Sequence, residues 1–216
     1  GRQVAQIVWR TYAQLGLEEM AEHAGVPVIN SLSDMYHPCQ ILADLMTIQE
    51  HKGKLAGLKL AYVGDASNNM ANSYLIGGAT AGMHVAVAGP ANYLPDSHIV
   101  ARAELIAEQT GGSIAVHGEP LAAIADADVV ITDTWISMGQ EDEKEQRLRD
   151  FAGYTIDQEL FAKAKPDAIF MHCLPAYRGY EVAAEVLDGP QSVIWDEAEN
   201  RLHAQKALMV WLAEQA

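Results

Sequence analysis

The sequence predicts an α/β protein: a doubly wound parallel sheet, preceded by a remnant of a second α/β unit. Three observations predict it. From residue 58 onward, short apolar runs alternate with helical segments, the pattern of successive βα units. Several of those runs read as buried strands, and they hand over to unusually polar turns. Half of the 216 residues are apolar, enough for a large core, and Gly and Pro stand at ordinary levels.

Taken in order, Ile7 to Arg10 reads as a strand. Leu15 to Ala24 reads as a helix whose apolar face is Leu15, Leu17, Met20 and Ala21. Val26 to Asn30 is a second strand, and Ser31 to Tyr36 a loop. His37-Pro38 opens a helix to Lys52, with proline in the first turn and Ile41, Leu42, Leu45, Met46 and Ile48 facing inward. Strands follow at Leu58 to Val63, His84 to Ala88, Ser113 to Val116, Val129 to Thr132 and Ala168 to Met171, and a last one at Gln191 to Trp195. Helices fall at Asn68 to Gly82, His98 to Thr110, Pro120 to Ile124, Glu143 to Phe151, Asp157 to Ala164 and Ala198 to Ala216. The expected division is residues 1–34, residues 35–195, and a C-terminal helix over 196–216 that packs back on the first unit.

Composition excludes several classes. Lys plus Arg is 14 against 29 Asp plus Glu, a net charge of −15, which repels nucleic acid and anionic membranes. An anionic ligand therefore needs a local basic pocket. The two cysteines, Cys39 and Cys173, form no disulfide framework and no zinc spacing, and the histidines form no metal-ligand pairs. No metal and no organic cofactor is expected, and a reducing cytoplasm fits best. No apolar run is long enough to span a bilayer. The chain opens without Met and close to a strand, so an N-terminal portion is expected to be missing.

Chemistry gathers at the strand ends. His172-Cys173-Leu174-Pro175 sets a thiol and an imidazole where a strand meets a loop. Taken alone, the pair reads more readily as a small buried hydrophobe beside a core histidine. The turn Gly64-Asp65-Ala66-Ser67-Asn68-Asn69 lacks the Gly-x-Gly-x-x-Gly of a dinucleotide site. Asn68 suits a helix cap, and Asn69 can point into the crevice. Asp133 at a strand end can hold an ammonium group. Ser137, Met138 and Gly139 follow it in a polar loop with the makings of a lid, with Trp135 and Met138 as apolar cover. In a doubly wound sheet the first and fourth strands are neighbours and the fifth lies beside the fourth, so Asn69, Asp133 and Cys173 converge on a site for a small zwitterion or cation. Arg10, His37, Gln40 and Arg201 together suit an oxyanion or phosphate pocket, though taken singly Arg201 reads as a surface helix residue and His37 as a helix N-cap.

His37-Pro38-Cys39-Gln40, Asp65 to Met70, Asp133 to Gly139, His172 to Pro175 and Arg201 to Ala207 together resemble the ornithine carbamoyltransferase family, in order and spacing, along the whole chain. The Ser137-Met138-Gly139 loop separates ornithine enzymes from their aspartate relatives. The resemblance implies a Rossmann-like ornithine-binding domain and a remnant of a carbamoyl-phosphate domain. Arg10, His37, Pro38, Cys39, Gln40, Cys173, Leu174 and Arg201 would hold carbamoyl phosphate. Asn69, Asp133, Ser137, Met138 and Cys173 would hold L-ornithine. Arg10, His37 and Cys173 would be the catalytic residues, with Arg10 and His37 polarising the carbonyl. The family implies a homotrimer in the full-length protein, citrulline as product and a place in arginine metabolism. The family's Ser-x-Arg-Thr phosphate loop is not found, so the carbamoyl-phosphate-binding segment is expected to be lacking and this chain to be weakly active or inactive. Competing readings are a carbamoyltransferase for putrescine or acetylornithine, a non-catalytic amino-acid-binding module, and, against the turn at Asp65 to Asn69, a dinucleotide-dependent oxidoreductase.

Overall fold

The computed structural model describes residues 1–137 and 139–215. The chain runs β1 (Ile7–Arg10), α1 (Gln14–His23), β2 (Val28–Leu32), α2 (Pro38–Lys52), β3 (Lys59–Val63), α3 (Asn69–Thr80), β4 (His84–Ala88), α4 (Ser97–Thr110), β5 (Ser113–His117), α5 (Pro120–Ile124), β6 (Val129–Thr132), α6 (Lys144–Asp150), α7 (Gln158–Phe161), β7 (Ile169–His172), α8 (Ala184–Leu187) and α9 (Ile194–Glu214). β1 and β2 form a two-stranded parallel sheet, and the other strands form a parallel sheet in the order β5-β4-β3-β6-β7. That order puts β3 beside β6 and β6 beside β7, the expected switch-point geometry.

The strands of the large sheet are apolar on both faces because helices cover both. Leu60 and Tyr62 of β3 join Ile48, Leu75, Val85, Ile131 and Met171 in one core. Ala61 and Val63, pointing the other way, join Ile124, Val130, Phe170 and Ile194 in a second. Helix α3 sits close to its neighbours through glycine. A Cβ at Gly78 would stand 2.5 Å from Val85 Cγ2, and one at Gly77 would strike Ile41. Gly78→Ala is therefore expected to destabilise the fold by about 1–3 kcal/mol through overpacking, read as a lowered urea midpoint at unchanged slope.

Three expectations need correction. Gln191 to Trp195 is not a strand. It makes one bridge, Phe170 to Ser192, and α9 already begins at Ile194. Asp196 and Glu197 fall in the first turn of α9, where the helix dipole favours acids, and this draws the helix start forward. The apolar stripe of α1 is largely solvent-facing: Leu17 is buried, but Leu15 and Met20 are exposed. The inner face of α2 is more polar than its periodicity suggests. Leu42 is exposed, while Gln40, Asp44 and Thr47 are buried with Ile41 and Ile48. Among the described residues, no helix is long and apolar enough to cross a membrane.

Candidate active site

A crevice of about 990 Å³ opens where the carboxyl ends of β3, β6 and β7 face the end of β1 and the start of α2. Arg10, His37, Gln40, Asn69, Asp133, Ser137, Cys173, Leu174 and Arg201 all line it, so residues from across the sequence do converge. Met138 lies outside the described residues. Pro38 and Cys39 do not line the crevice. Pro38 is the first residue of α2, and Cys39 turns its thiol to the Asn30 carbonyl at 3.4 Å.

One wall is basic. Arg10 closes β1 at a register irregularity, the kind of local break that re-aims a side chain. His37 precedes α2 and is held by its backbone N–H, which donates to Ser73 Oγ at 2.8 Å. Burial, then the positive charges of Arg201 and Arg10, push the imidazole down from 6.5 to about 4. His37 is thus neutral at pH 7, its Nδ1 buried without a partner and free to meet a ligand. Arg201 donates through Nη1 to Gln40 Oε1, and its Nε is likewise buried without a partner.

The depressed His37 pKa has a stability consequence. As pH falls from about 6.5 to about 4 the unfolded state takes the proton and the folded state does not, so stability is lost across that window. Asp44, pushed up by burial to about 6, works in the opposite sense, because its folded state takes the proton first as pH falls. His37→Asn removes only the first effect. Relative to wild type it should gain up to about 3 kcal/mol on acidification across the window, measured by urea unfolding at stepped pH.

The opposite wall suits an amino acid. Asn68 caps α3 by accepting Ala71 N–H at 2.9 Å, and also donates to Tyr62 Oη at 3.0 Å. Asn69 lies beside it and donates to the Ser33 carbonyl at 2.9 Å, tying α3 to the end of β2. Asp133 is buried. It accepts Thr134 N–H at 2.7 Å and the Cys173 thiol at 3.2 Å. Its other oxygen accepts from the Asn68 amide nitrogen at 3.4 Å, and burial raises its pKa. Burial and the carboxylates of Asp133 and Glu197 push the Cys173 thiol well up, so it serves as a protonated lining group rather than a thiolate nucleophile.

His172 is a core residue. It is fully buried, its Nδ1 accepts Leu174 N–H at 2.9 Å, and its Nε2 faces Glu181 at 3.2 Å. It therefore shapes the turn that carries Cys173 and Leu174. Ligand atoms of Asp133, His172 and Cys173 lie within 4.8 Å of one another, but hydrogen bonds already engage both ring nitrogens and the thiol.

Trp135 is not a cover over the crevice. It is buried and stacks on Phe151 at 5.3 Å. The residue that organises this loop is Arg147, within the helix expected over Glu143 to Phe151. Arg147 donates to Asp65 Oδ2 at 2.7 Å, to the Trp135 carbonyl at 3.1 Å and to Glu143 at 2.9 Å, and lies over the Tyr93 ring. Lys144, Tyr177 and Tyr180 also line the mouth, Lys144 lying 5.7 Å from the Tyr180 ring centroid. The only hint of Arg147 in the sequence is a cation within an acidic run. Its partner Asp65 is 82 residues away, beyond any local pattern.

Comparison with known proteins places the chain. Residues 1–50 match the family model "Aspartate/ornithine carbamoyltransferase, carbamoyl-P binding domain", and residues 56–212 match "Aspartate/ornithine carbamoyltransferase, Asp/Orn binding domain". The first match corrects the expectation that the carbamoyl-phosphate-binding segment is lacking. It spans β1 to most of α2 and contains Arg10 and His37 to Gln40. An ornithine carbamoyltransferase from Clavibacter sepedonicus is 65% identical over 215 residues, spanning 100% of this chain and 70% of that protein. One from Renibacterium salmoninarum is 64% identical, spanning 100% and 69%. Among solved structures, the ornithine carbamoyltransferase from Pyrococcus furiosus superposes with a TM-score of 0.92 at 51% identity, covering 96% of this chain and 66% of that one. The anabolic enzyme from Campylobacter jejuni gives 0.93 at 43%, covering 100% and 71%.

Proposed function

The chain belongs to the aspartate/ornithine carbamoyltransferase family, and from that premise we propose that its crevice transfers the carbamoyl group of carbamoyl phosphate to the δ-amine of L-ornithine, giving L-citrulline and phosphate. The observation that carries the reading is the pairing of two unlike walls in one crevice: Arg10, His37 and Arg201 on one side, Asn69, Asp133 and Ser137 on the other. The basic wall suits the phosphate of the donor, and neutral His37 can hydrogen-bond the carbamoyl oxygen without adding a charge. Asp133 suits the α-ammonium of ornithine, with Asn69 and Ser137 as polar partners for its carboxylate.

The δ-amine attacks as the neutral base. The C–N bond forms as the C–O bond to phosphate breaks, phosphate leaves with the bonding pair, and the attacking nitrogen then loses a proton. Donors already aimed at the developing oxyanion supply much of the acceleration, and holding two reactants in one crevice supplies much of the rest. The protonated Cys173 thiol leaves the amine as the nucleophile.

In this reading the chain works as one subunit of a homotrimer, as the family resemblance implies. The test of the reaction is an acceptor panel with carbamoyl phosphate: L-ornithine, N-acetylornithine, putrescine and L-aspartate. Citrulline formation with kcat/KM highest for L-ornithine is expected. Preference for N-acetylornithine, whose α-nitrogen is an uncharged amide, would remove the role given to Asp133. The rate should rise with pH as the amine deprotonates, and His37→Asn should lower kcat/KM while leaving the midpoint of that rise in place.

A further inference from the structure

Beneath the basic wall lies a buried acid pair that the transfer chemistry does not use. Asp44 on α2 and Glu197 on α9 are both fully buried. Asp44 Oδ1 accepts from Gln40 Nε2 at 2.8 Å, and its Oδ2 accepts from Tyr74 Oη at 2.6 Å. Glu197 Oε2 accepts the backbone N–H of His172 at 2.8 Å, and Oε1 takes the Gln40 amide nitrogen at 3.4 Å. The two carboxyl groups thus meet at the one amide nitrogen of Gln40. Two ionised carboxylates held this close in a fully buried site repel each other, and a proton shared between them relieves that repulsion.

The surroundings agree with one proton rather than none or two. Facing the pair are Gln40 from its own helix, Tyr74 from α3, the His172 N–H and Cys173 at the end of β7, Asp133 beyond β6, and Arg201 from α9. The His172 ring turns away to Glu181. Arg201 is the one cation among these groups: its charge disfavours protonating both acids, while two ionised carboxylates would outweigh it. Burial raises both acids.

The orientation of Gln40 follows. Arg201 is a donor only, so the amide oxygen must face it, and both amide hydrogens must face the two acids. We propose that Asp44 and Glu197 share a single proton and act together as positioning residues for Gln40, holding its oxygen outward beside Arg201, where the amide of carbamoyl phosphate can donate to it. The ligand named here rests on the carbamoyl-transfer reading. The shared proton does not.

Two measurements test it. Infrared spectroscopy in heavy water at neutral pH should show the carbonyl stretch of a protonated carboxyl in the wild-type chain, lost in Asp44→Asn and in Glu197→Gln. Each amide variant replaces the pair by one carboxylate and one amide that can still donate. Carbamoyl phosphate affinity, titrated on the same proteins, should fall at least roughly tenfold in Asp44→Ala and Glu197→Ala and return to within roughly threefold of wild type in the amide variants. A missing wild-type band, or one unchanged in both amide variants, overturns the shared proton. Alanine variants that lose thermal stability yet keep wild-type affinity overturn the positioning role. If wild type itself does not bind carbamoyl phosphate, the functional reading and the positioning role fall together, and the infrared band still decides the proton.

Discussion

Arg147→Ala is expected to destabilise the fold by about 3–5 kcal/mol, the range for removing one partner of a buried ion pair. Asp65 and Arg147 are both buried and meet at 2.7 Å. Asp65 keeps its bonds from Ser67 N–H and Oγ, at 3.1 and 2.6 Å, but its remaining oxygen would be left charged in a site that water barely reaches. The loss is also functional, because Arg147 bonds the carbonyl of Trp135, two residues before Ser137. With that tie gone the loop that carries Ser137 is no longer fixed to the end of β3, and L-ornithine binding should be lost along with stability. Replacing both partners, as in the Asp65→Asn/Arg147→Met double variant, should lose less stability than Arg147→Ala, because no uncompensated charge remains. Guanidinium unfolding of the three proteins gives the comparison. A single variant as stable as wild type would show that the pair contributes nothing.

Asp133→Asn is expected to weaken L-ornithine by about 2–5 kcal/mol, the range for truncating one partner of a buried charge pair, and to leave carbamoyl phosphate affinity near wild type. The fold should tolerate the change. An asparagine carbonyl can still accept Thr134 N–H and the Cys173 thiol, so the bonds at 2.7 and 3.2 Å survive. Besides removing the negative charge, the substitution sets the new amide nitrogen against the Asn68 amide, whose long bond to Asp133 Oδ2 at 3.4 Å is lost. Titration calorimetry of each substrate separates the outcomes: equal losses for both would mean a general collapse of the crevice, and no loss for ornithine would take the ammonium away from Asp133.

Much of this was legible in the sequence, because strands and switch point follow from local pattern. β4, α5 and β6 fall where the apolar runs put them, and the β3-β6-β7 neighbourhood follows from the winding of such sheets. The convergence of Asn69, Asp133 and Cys173 came from that winding alone. What pattern could not give is tertiary. Trp135 is spent on an aromatic stack with Phe151, and Arg147 on Asp65, 82 residues away. The polar inner face of α2 was hidden for the same reason. Gln40, Asp44 and Thr47 are buried against α9, where Glu197 and Asn200 supply hydrogen-bond partners across more than 150 positions. Gln191 to Trp195 went wrong locally, since its β-forming residues make a single bridge before the acids of α9 turn the chain into helix.

The central claim is that the Asp133 side of the crevice is an amino-acid site completed by the basic wall. The measurement that tests it most directly is calorimetric titration of L-ornithine into the wild-type chain in the presence of phosphate, with L-aspartate as the comparison. A saturable one-to-one isotherm for L-ornithine, absent for L-aspartate and lost in Asp133→Asn, is the predicted result. Equal binding of the two amino acids, or ornithine binding that survives in Asp133→Asn, would contradict it.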